Sequence, residues 1–477
     1  MKKHSKKYLW AILVLSLIVL AVVISFLCLG HEHAFSEWET VRSATCAQNG
    51  EQRRVCECGE VETKTIDAVA HTPGQWVVVT PATQTENGLR EQACTVCGKV
   101  LASEAILPEA SDGLRFSQNG DGTYNVSGIG SCTDTDVVIP ATYNGMAVTG
   151  IGEKAFFECK TIKSIVIPEG VTSIGDWAFC YCESLVSVDI PESVTSIGGC
   201  AFGECINLVN IVIPKSVTSI GSWAFYHCES LKSIVIPEGV TSIGEYVFAV
   251  CTSLVSVDIP EGVTYIGECA FSACDVLKSI VIPGSVTSIG EWAFNECENL
   301  EGIVISEGVT SIGKCALRCC GSLKSIVIPD SVTSIGDRAF EGCESLEGIV
   351  IPEGVTSIGE WAFRNCVSLE GIVIPGSVTS IGDSAFEGCE SLESIVIPEG
   401  VTSIGNDVFN DCVSLVSIVI PESVTSIGYS AFEGCEALAS IQFGGTKEQW
   451  KAISFGLRWN EHTANYTVTC TDGILSK

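Results

Sequence analysis

Apolar positions along most of this chain return on a beat of 23 residues. A representative unit reads Leu185-x-x-Val188-x-Ile190-Pro191-x-x-Val194-Thr195-Ser196-Ile197-Gly198-x-x-Ala201-Phe202-x-x-Cys205. Val188 and Ile190 alternate like one face of a short strand, and Pro191 ends it because proline has no amide proton for a ladder. Gly198 supplies a turn. Ala201, Phe202 and Cys205 lie close enough to share one face of a brief helical or 3₁₀ turn. One unit buries almost nothing alone. Stacked copies pair their strands about 4.8 Å apart and merge their apolar faces into one core.

The strand-ending proline recurs at Pro168, Pro191, Pro214, Pro237, Pro260 and Pro283, gives way to Ser306, and resumes from Pro329 to Pro421. Leu317 likewise replaces a phenylalanine. Cysteine keeps the same beat from Cys159 to Cys435. An earlier, longer unit starts at Val138-Ile139-Pro140. The pattern predicts a repeat solenoid over residues 133–443, about 13 coils of short parallel strands and about 60 Å long at the strand spacing.

A solenoid needs protected ends. Asn119-Gly120-Asp121-Gly122 predicts a hairpin turn ahead of Tyr124 and an N-terminal cap over 111–132. Thr446-Lys447-Glu448-Gln449 is a capping-box pattern opening a short helix, followed by a closing strand near Tyr466–Val468, so 444–477 forms the C-terminal cap.

Before the caps, residues 31–110 carry a second repeat, of period about 38. His33–Trp38 matches His71–Trp76, Gly50 matches Gly88, and Cys56-Glu57-Cys58-Gly59 corresponds to Cys94-Thr95-Val96-Cys97-Gly98. Valine, threonine and turn glycines predict two small β-hairpin modules forming a stalk.

Residues 8–30 are uncharged and almost wholly apolar, long enough at about 1.5 Å per residue to span a bilayer. Lys2, Lys3, Lys6 and Lys7 precede the run, so the bias of positive charge toward the cytoplasm leaves 1–7 inside and everything after His31 outside. We read 8–30 as an uncleaved transmembrane signal-anchor, with a cleaved signal peptide as the alternative; both export the chain.

Composition narrows the function. Apolar residues make up 46% and charged ones only 17%, which excludes a disordered acidic tail. The net charge of −31 argues against nucleic acid and against docking on anionic lipid. No phosphate-binding glycine loop stands out from the repeat turns. Only His227 of the six histidines lies within the repeats, and no nucleophile–base pair emerges, so catalysis finds no support.

The repeated Ile-Pro strand end with Ile-Gly-x-x-Ala-Phe-x-x-Cys closely resembles the BspA-like leucine-rich repeat family. The resemblance implies a leucine-rich repeat stack on the surface of a host-associated anaerobic bacterium or a parasitic protist. It further implies adhesion to host matrix proteins or other cells.

The cysteine column reads as buried free thiols at one core position, because stacked identical rotamers do not suit disulfide torsions. Off-column pairs, Cys180 with Cys200 or Cys315 with Cys319, are better placed for bridges. Cys46, Cys56, Cys58 and His71 make a candidate Cys₃His zinc set in the first module. The second module has Gln84 in place of Cys46, leaving Cys94 and Cys97 as a pair; in both modules disulfides or thiols without a ligand role are the alternative to zinc.

Glutamates after the strand-ending proline, such as Glu169, Glu238 and Glu399, lack calcium-loop spacing and read as a solvated face. Exposed strand positions repeat Ser or Gly, then Val, with Asp189 and Asp258 as interruptions. Just before the Ala-Phe pair runs a more varied column: Trp177, Trp223, Tyr246, Trp292 and Trp361. These seven residues are the candidate partner-binding set, with packing between coils as the alternative role for the aromatics.

The expectation is a membrane-anchored, outward-facing, non-enzymatic adhesin for extracellular proteins or glycans of a host or neighbouring cell, acting through many weak contacts. Two alternatives stand beside it: an envelope spacer without a dedicated ligand, and a regulator sensing zinc or redox state through the stalk.

Overall fold

Where isoleucine and valine alternate with serine, the chain forms strands of two to four residues, each paired to its counterpart one unit away. The computed structural model describes residues 33–81, 88–106 and 109–477. The chain divides into two units, Met1–Leu107 and Pro108–Lys477. The expected apolar segment 8–30 lies outside the described residues. Among those described, no helix is long and apolar enough to cross a membrane.

The second unit is a parallel β-solenoid. Ser187–Asp189 pairs with Ser164–Val166 on one side and Asn210–Val212 on the other, always in the 23-residue register. A second column of two-residue strands, such as Ser173–Ile174 against Ser196–Ile197, forms another side. The stack has about 15 turns rather than 13. The difference lies at the ends. Asp136–Val138 pairs in parallel with Ser164–Val166, so the long early unit is a full turn. Thr467–Cys470 pairs in parallel with Ser440–Phe443, so the tail strand continues the column before turning back antiparallel through Gly473–Ser476.

The third side is not the helical or 3₁₀ turn expected. Cys200 and Glu204 adopt left-handed φ values of 53° and 61°, a pattern repeated in most turns. Alternate amides therefore leave the local turn and donate to the next coil: Cys200 to Ser222, Phe202 to Ala224 and Glu204 to Tyr226. The remaining amides close tight local turns, as Cys205 does on Phe202. Every side of the solenoid is thus hydrogen-bonded between coils.

Phenylalanines fill the interior. Twelve are fully buried, and successive rings stack 5.2–5.6 Å apart. Leu317 fills the same buried column, interrupting the ring stack between Phe294 and Phe340. At Ser306 the missing proline restores an amide, which donates to Ile282 O at 3.1 Å.

The hairpin Arg115–Gln118 and Tyr124–Gly128 lies at the first coil, with Tyr124–Gly128 pairing in parallel to Met146–Ile151. At the other end Thr446 and Gln449 complete a capping box on the helix Lys447–Ala452, whose Trp450 is buried.

The described residues of the first unit form two three-stranded antiparallel sheets, one per module. The first is β1 (Glu39–Arg42), β2 (Gly50–Val55) and β3 (Val61–Ile66); the second is β4 (Pro73–Thr80), β5 (Gly88–Cys94) and β6 (Val100–Ile106). Cross-strand ion pairs Arg54–Glu62 and Arg90–Glu104 recur in both, with each arginine over a tryptophan ring. Exposed pairs of this kind contribute little, typically under about 1 kcal/mol.

Candidate binding face and cysteine clusters

Strand residues alternate inward and outward. In the first strand of most turns the inward isoleucine or valine joins the core and the next residue faces solvent. That outward position is Val281, Val304, Val327, Val350, Val373 and Val396 in six consecutive turns, 57–79% exposed. The first five are direct register partners. Nearer the N-terminus the same column contains Asp189 and Asp258, both exposed, with Val212 and Val235 between them. Three residues before the valines, Glu301, Glu347, Glu370 and Glu393 are exposed, with Lys278 and Lys324 as the cations of this edge. The face is an apolar strip with a predominantly acidic margin.

The aromatic candidates are in a different situation. Trp177, Trp223, Tyr246, Trp292 and Trp361 have φ of 54–65°, a backbone conformation in which glycine would be unstrained. Holding a side chain there costs about 1–2 kcal/mol, so each must gain something locally. Trp223 stacks on Tyr246 at 4.0 Å, Phe157 meets Trp177 edge-on, and Arg338 and Arg318 lie over Trp361 and Trp292. These rings pack against neighbouring turns while retaining partial exposure.

Reading every twenty-third residue after the phenylalanine reveals a column not singled out from the sequence: Asn295, Arg318, Glu341, Arg364 and Glu387. Arg318 and Arg364 flank the buried Glu341 at 3.1 and 3.5 Å, and Arg364 also reaches Glu387 at 3.0 Å. Opposite charges one coil apart stitch four turns together. The glutamates that follow the strand-ending proline, by contrast, stand in solvent.

The cysteine column is buried and free from Cys182 to Cys435. Each of these thiols donates to a main-chain carbonyl of the preceding turn, Cys182 to Phe156 and Cys435 to Phe409 among them, at 3.1–3.3 Å. Burial raises their pKa; that of Cys343 is pushed up to about 12. Off the column, the sulfurs of Cys180 and Cys200 lie 3.2 Å apart. Gly203 leaves room for them, since a Cβ there would meet Cys200 Sγ at 2.4 Å.

In the first unit the four zinc candidates separate. Cys46, on the β1–β2 loop, and His71, on the linker between modules, join Cys94 and Cys97 of the β5–β6 hairpin, with all four ligand atoms within 4.8 Å of one another. Cys56 and Cys58 gather with His33 instead. Cys46 Sγ is 3.6 Å from Cys94 Sγ, and Cys97 Sγ is 3.4 Å from His71 Nδ1. Backbone N–H groups of Cys97 and Val96 hold the Cys94 thiol below its ordinary range, while burial raises Cys46. Gly50 permits the loop to close on itself: a Cβ there would meet Ala44 N at 2.5 Å.

A family profile described as BspA type Leucine rich repeat region matches four overlapping stretches, 149–278, 220–347, 270–393 and 333–457. The chain belongs to this BspA-type leucine-rich repeat family. Among solved structures, a leucine-rich repeat protein from Bacteroides ovatus is 34% identical, covers 76% of this chain and 100% of its own, and superposes with a TM-score of 0.61. A leucine rich cell surface protein from Faecalibacterium prausnitzii is 36% identical over 74% of this chain and 98% of its own, with a TM-score of 0.51. A search of curated protein sequences finds no significant match. The BspA-type match falls wholly within the solenoid, so the cysteine modules lie outside it.

Proposed function

We propose that this chain is a non-enzymatic surface protein whose BspA-type repeats bind an extracellular protein through the exposed valine strip. The observation that carries the reading is the run of six outward valines. Contiguous exposed apolar surface costs solubility and marks contact sites, and these positions face away from the core. The acidic margin and the net charge of −31 favour a partner that offers a matching apolar strip with basic side chains beside it. Nearly identical turns supply many similar contacts, so avidity rather than one deep pocket provides the affinity. The half-exposed aromatic column forms a second row of contacts, and Asp189 and Asp258 add polar contacts within the valine column itself. The apolar segment 8–30 serves as the signal-anchor that holds the chain at the cell surface.

The test is binding of the full chain to an array of matrix proteins, mucins and glycans, alongside a Val304→Lys, Val327→Lys, Val350→Lys variant. The reading predicts saturable binding to a protein, weakened at least tenfold by the triple change and reduced by salt. Binding indifferent to the valines, or confined to glycans, would contradict it.

A further inference from the structure

The described part of the first unit has almost no apolar interior. Among its described residues, the buried hydrophobic side chains are Cys46, Cys56 and Cys94, while Val77, Val78, Val79 and Val100 are 45–63% exposed. Three-stranded sheets of this size are not self-sufficient; small domains without a core depend on disulfides or a metal. The cysteines must therefore do more than fill space.

We propose that Cys46, His71, Cys94 and Cys97 form a structural zinc site that clamps the two modules together. The ligand set differs from one drawn within a single module. Cys46 comes from the first module, His71 from the linker, and the Cys94–Cys97 pair from the second. Tetrahedral zinc with bonds of about 2.3 Å to sulfur and about 2.0 Å to nitrogen separates two sulfurs by roughly 3.8 Å and sulfur from nitrogen by roughly 3.5 Å. The distances of 3.6 and 3.4 Å match those edges. A disulfide requires sulfurs at about 2.05 Å, and it would leave His71 and Cys97 without a role.

Main-chain bonds hold the elements that bring the ligands. Val69 N donates to Thr45 O beside Cys46, and Thr95 N donates to Thr72 O beside His71. Gly98, at φ 72°, donates to Cys94 O and folds the Cys-x-x-Cys segment into a tight knuckle that turns both sulfurs to one point. Three thiols and an imidazole already fixed by the backbone leave little ordering for the ion to impose. Thiolate and imidazole together select zinc over hard cations. On binding, the three thiols release their protons to solvent and the neutral imidazole contributes its Nδ1 lone pair.

The experiment is metal analysis of the full chain, purified in reducing buffer with zinc and then desalted, together with visible spectra after cobalt replacement. One equivalent of zinc should depend on Cys46 and Cys94: Cys46→Ser and Cys94→Ser each lose it, whereas Cys58→Ser keeps it. Cobalt should give the intense visible bands of a tetrahedral thiolate site. Cys46→His, which offers another ligand in place of the sulfur, should retain the metal with a shifted spectrum. That variant separates ligation from a purely structural need for Cys46. A wild-type chain without this zinc, equal metal content in Cys94→Ser and wild type, or a Cys46–Cys94 disulfide in the purified protein would overturn the proposal.

Discussion

The two units of this chain use cysteine in opposite ways. In the solenoid, the column thiols from Cys182 to Cys435 sit one per turn, sealed among phenylalanines, each donating to a carbonyl one turn back. There cysteine serves as a small apolar side chain that also satisfies a buried acceptor. In the modules, thiols converge with histidines at hairpin tips and loops, and little else is buried. Spacing explains the contrast. A repeat stacked in register keeps identical side chains apart along the axis and surrounds each with the rest of the core. A short hairpin knuckle points two sulfurs at one spot. The same residue is a packing element where the fold supplies a core and, on our proposal, a ligand where it does not.

Removing the proposed zinc should break this comparison most visibly. With a chelator present, the modules are expected to lose their ordered sheets while the solenoid retains its own, giving separate transitions in thermal unfolding followed by tryptophan fluorescence and circular dichroism. A single transition unaffected by chelation would equate the two regions. Within the solenoid, Phe363→Ala should cost about 3–5 kcal/mol, because the ring is fully buried between Phe340 and Phe386. Denaturant melts of the second unit would measure it.

The buried thiols add a pH dependence of definite sign. In the unfolded chain they titrate near their ordinary 9.0, whereas Cys343 in the fold is raised to about 12. Unfolding therefore releases protons in alkaline solution. Solenoid stability should be intact below about pH 9 and decline as pH rises toward 12, a trend that denaturation midpoints across that range would reveal. Cys366→Ala, which removes the donor to Phe340 O, should cost about 1–2 kcal/mol. Val327→Lys, on the exposed strip, should change stability by less than about 0.5 kcal/mol while weakening partner binding. A destabilisation matching that of Phe363→Ala would place Val327 in the core instead.

Much of the solenoid was legible because its regularity is one-dimensional. The strand register equals the sequence period, so Ile-Pro spacing alone located the pairs. The last turn was harder to count: the helix Lys447–Ala452 lengthens the spacing and disguises Thr467–Cys470 as a closing strand. The helical reading of the Ala-Phe segment failed for a different reason. Apolar residues at i, i+1 and i+4 suit both a helical turn and this left-handed one, and the sign of φ leaves no mark on a hydrophobic pattern. The valine strip was visible as a repeated Ser-then-Val pair. The alternating Arg318–Glu341–Arg364 column is also present in the period, but the same position is uncharged from Phe157 through Asn295, so the alternation emerges in only a few turns.

In the modules the residue types were legible and the grouping was not. Sequence proximity joins Cys46 to Cys56 and Cys58, whereas folding brings it to the next module's hairpin. One signal pointed that way: the second module carries a Cys-x-x-Cys pair but Gln84 where its own third thiol would stand. In the fold a thiol from the preceding module, Cys46, stands beside that pair instead.

The opposite roles of the two sets of thiols are tested most directly by alkylating the native full chain with and without a zinc chelator, then mapping modified cysteines by mass spectrometry. We predict that Cys182 through Cys435 of the buried column stay unmodified in both samples, while Cys46, Cys94 and Cys97 become reactive only after chelation. Alkylation of the buried column in the folded chain, or reactivity of Cys46, Cys94 and Cys97 that ignores the chelator, would contradict the account.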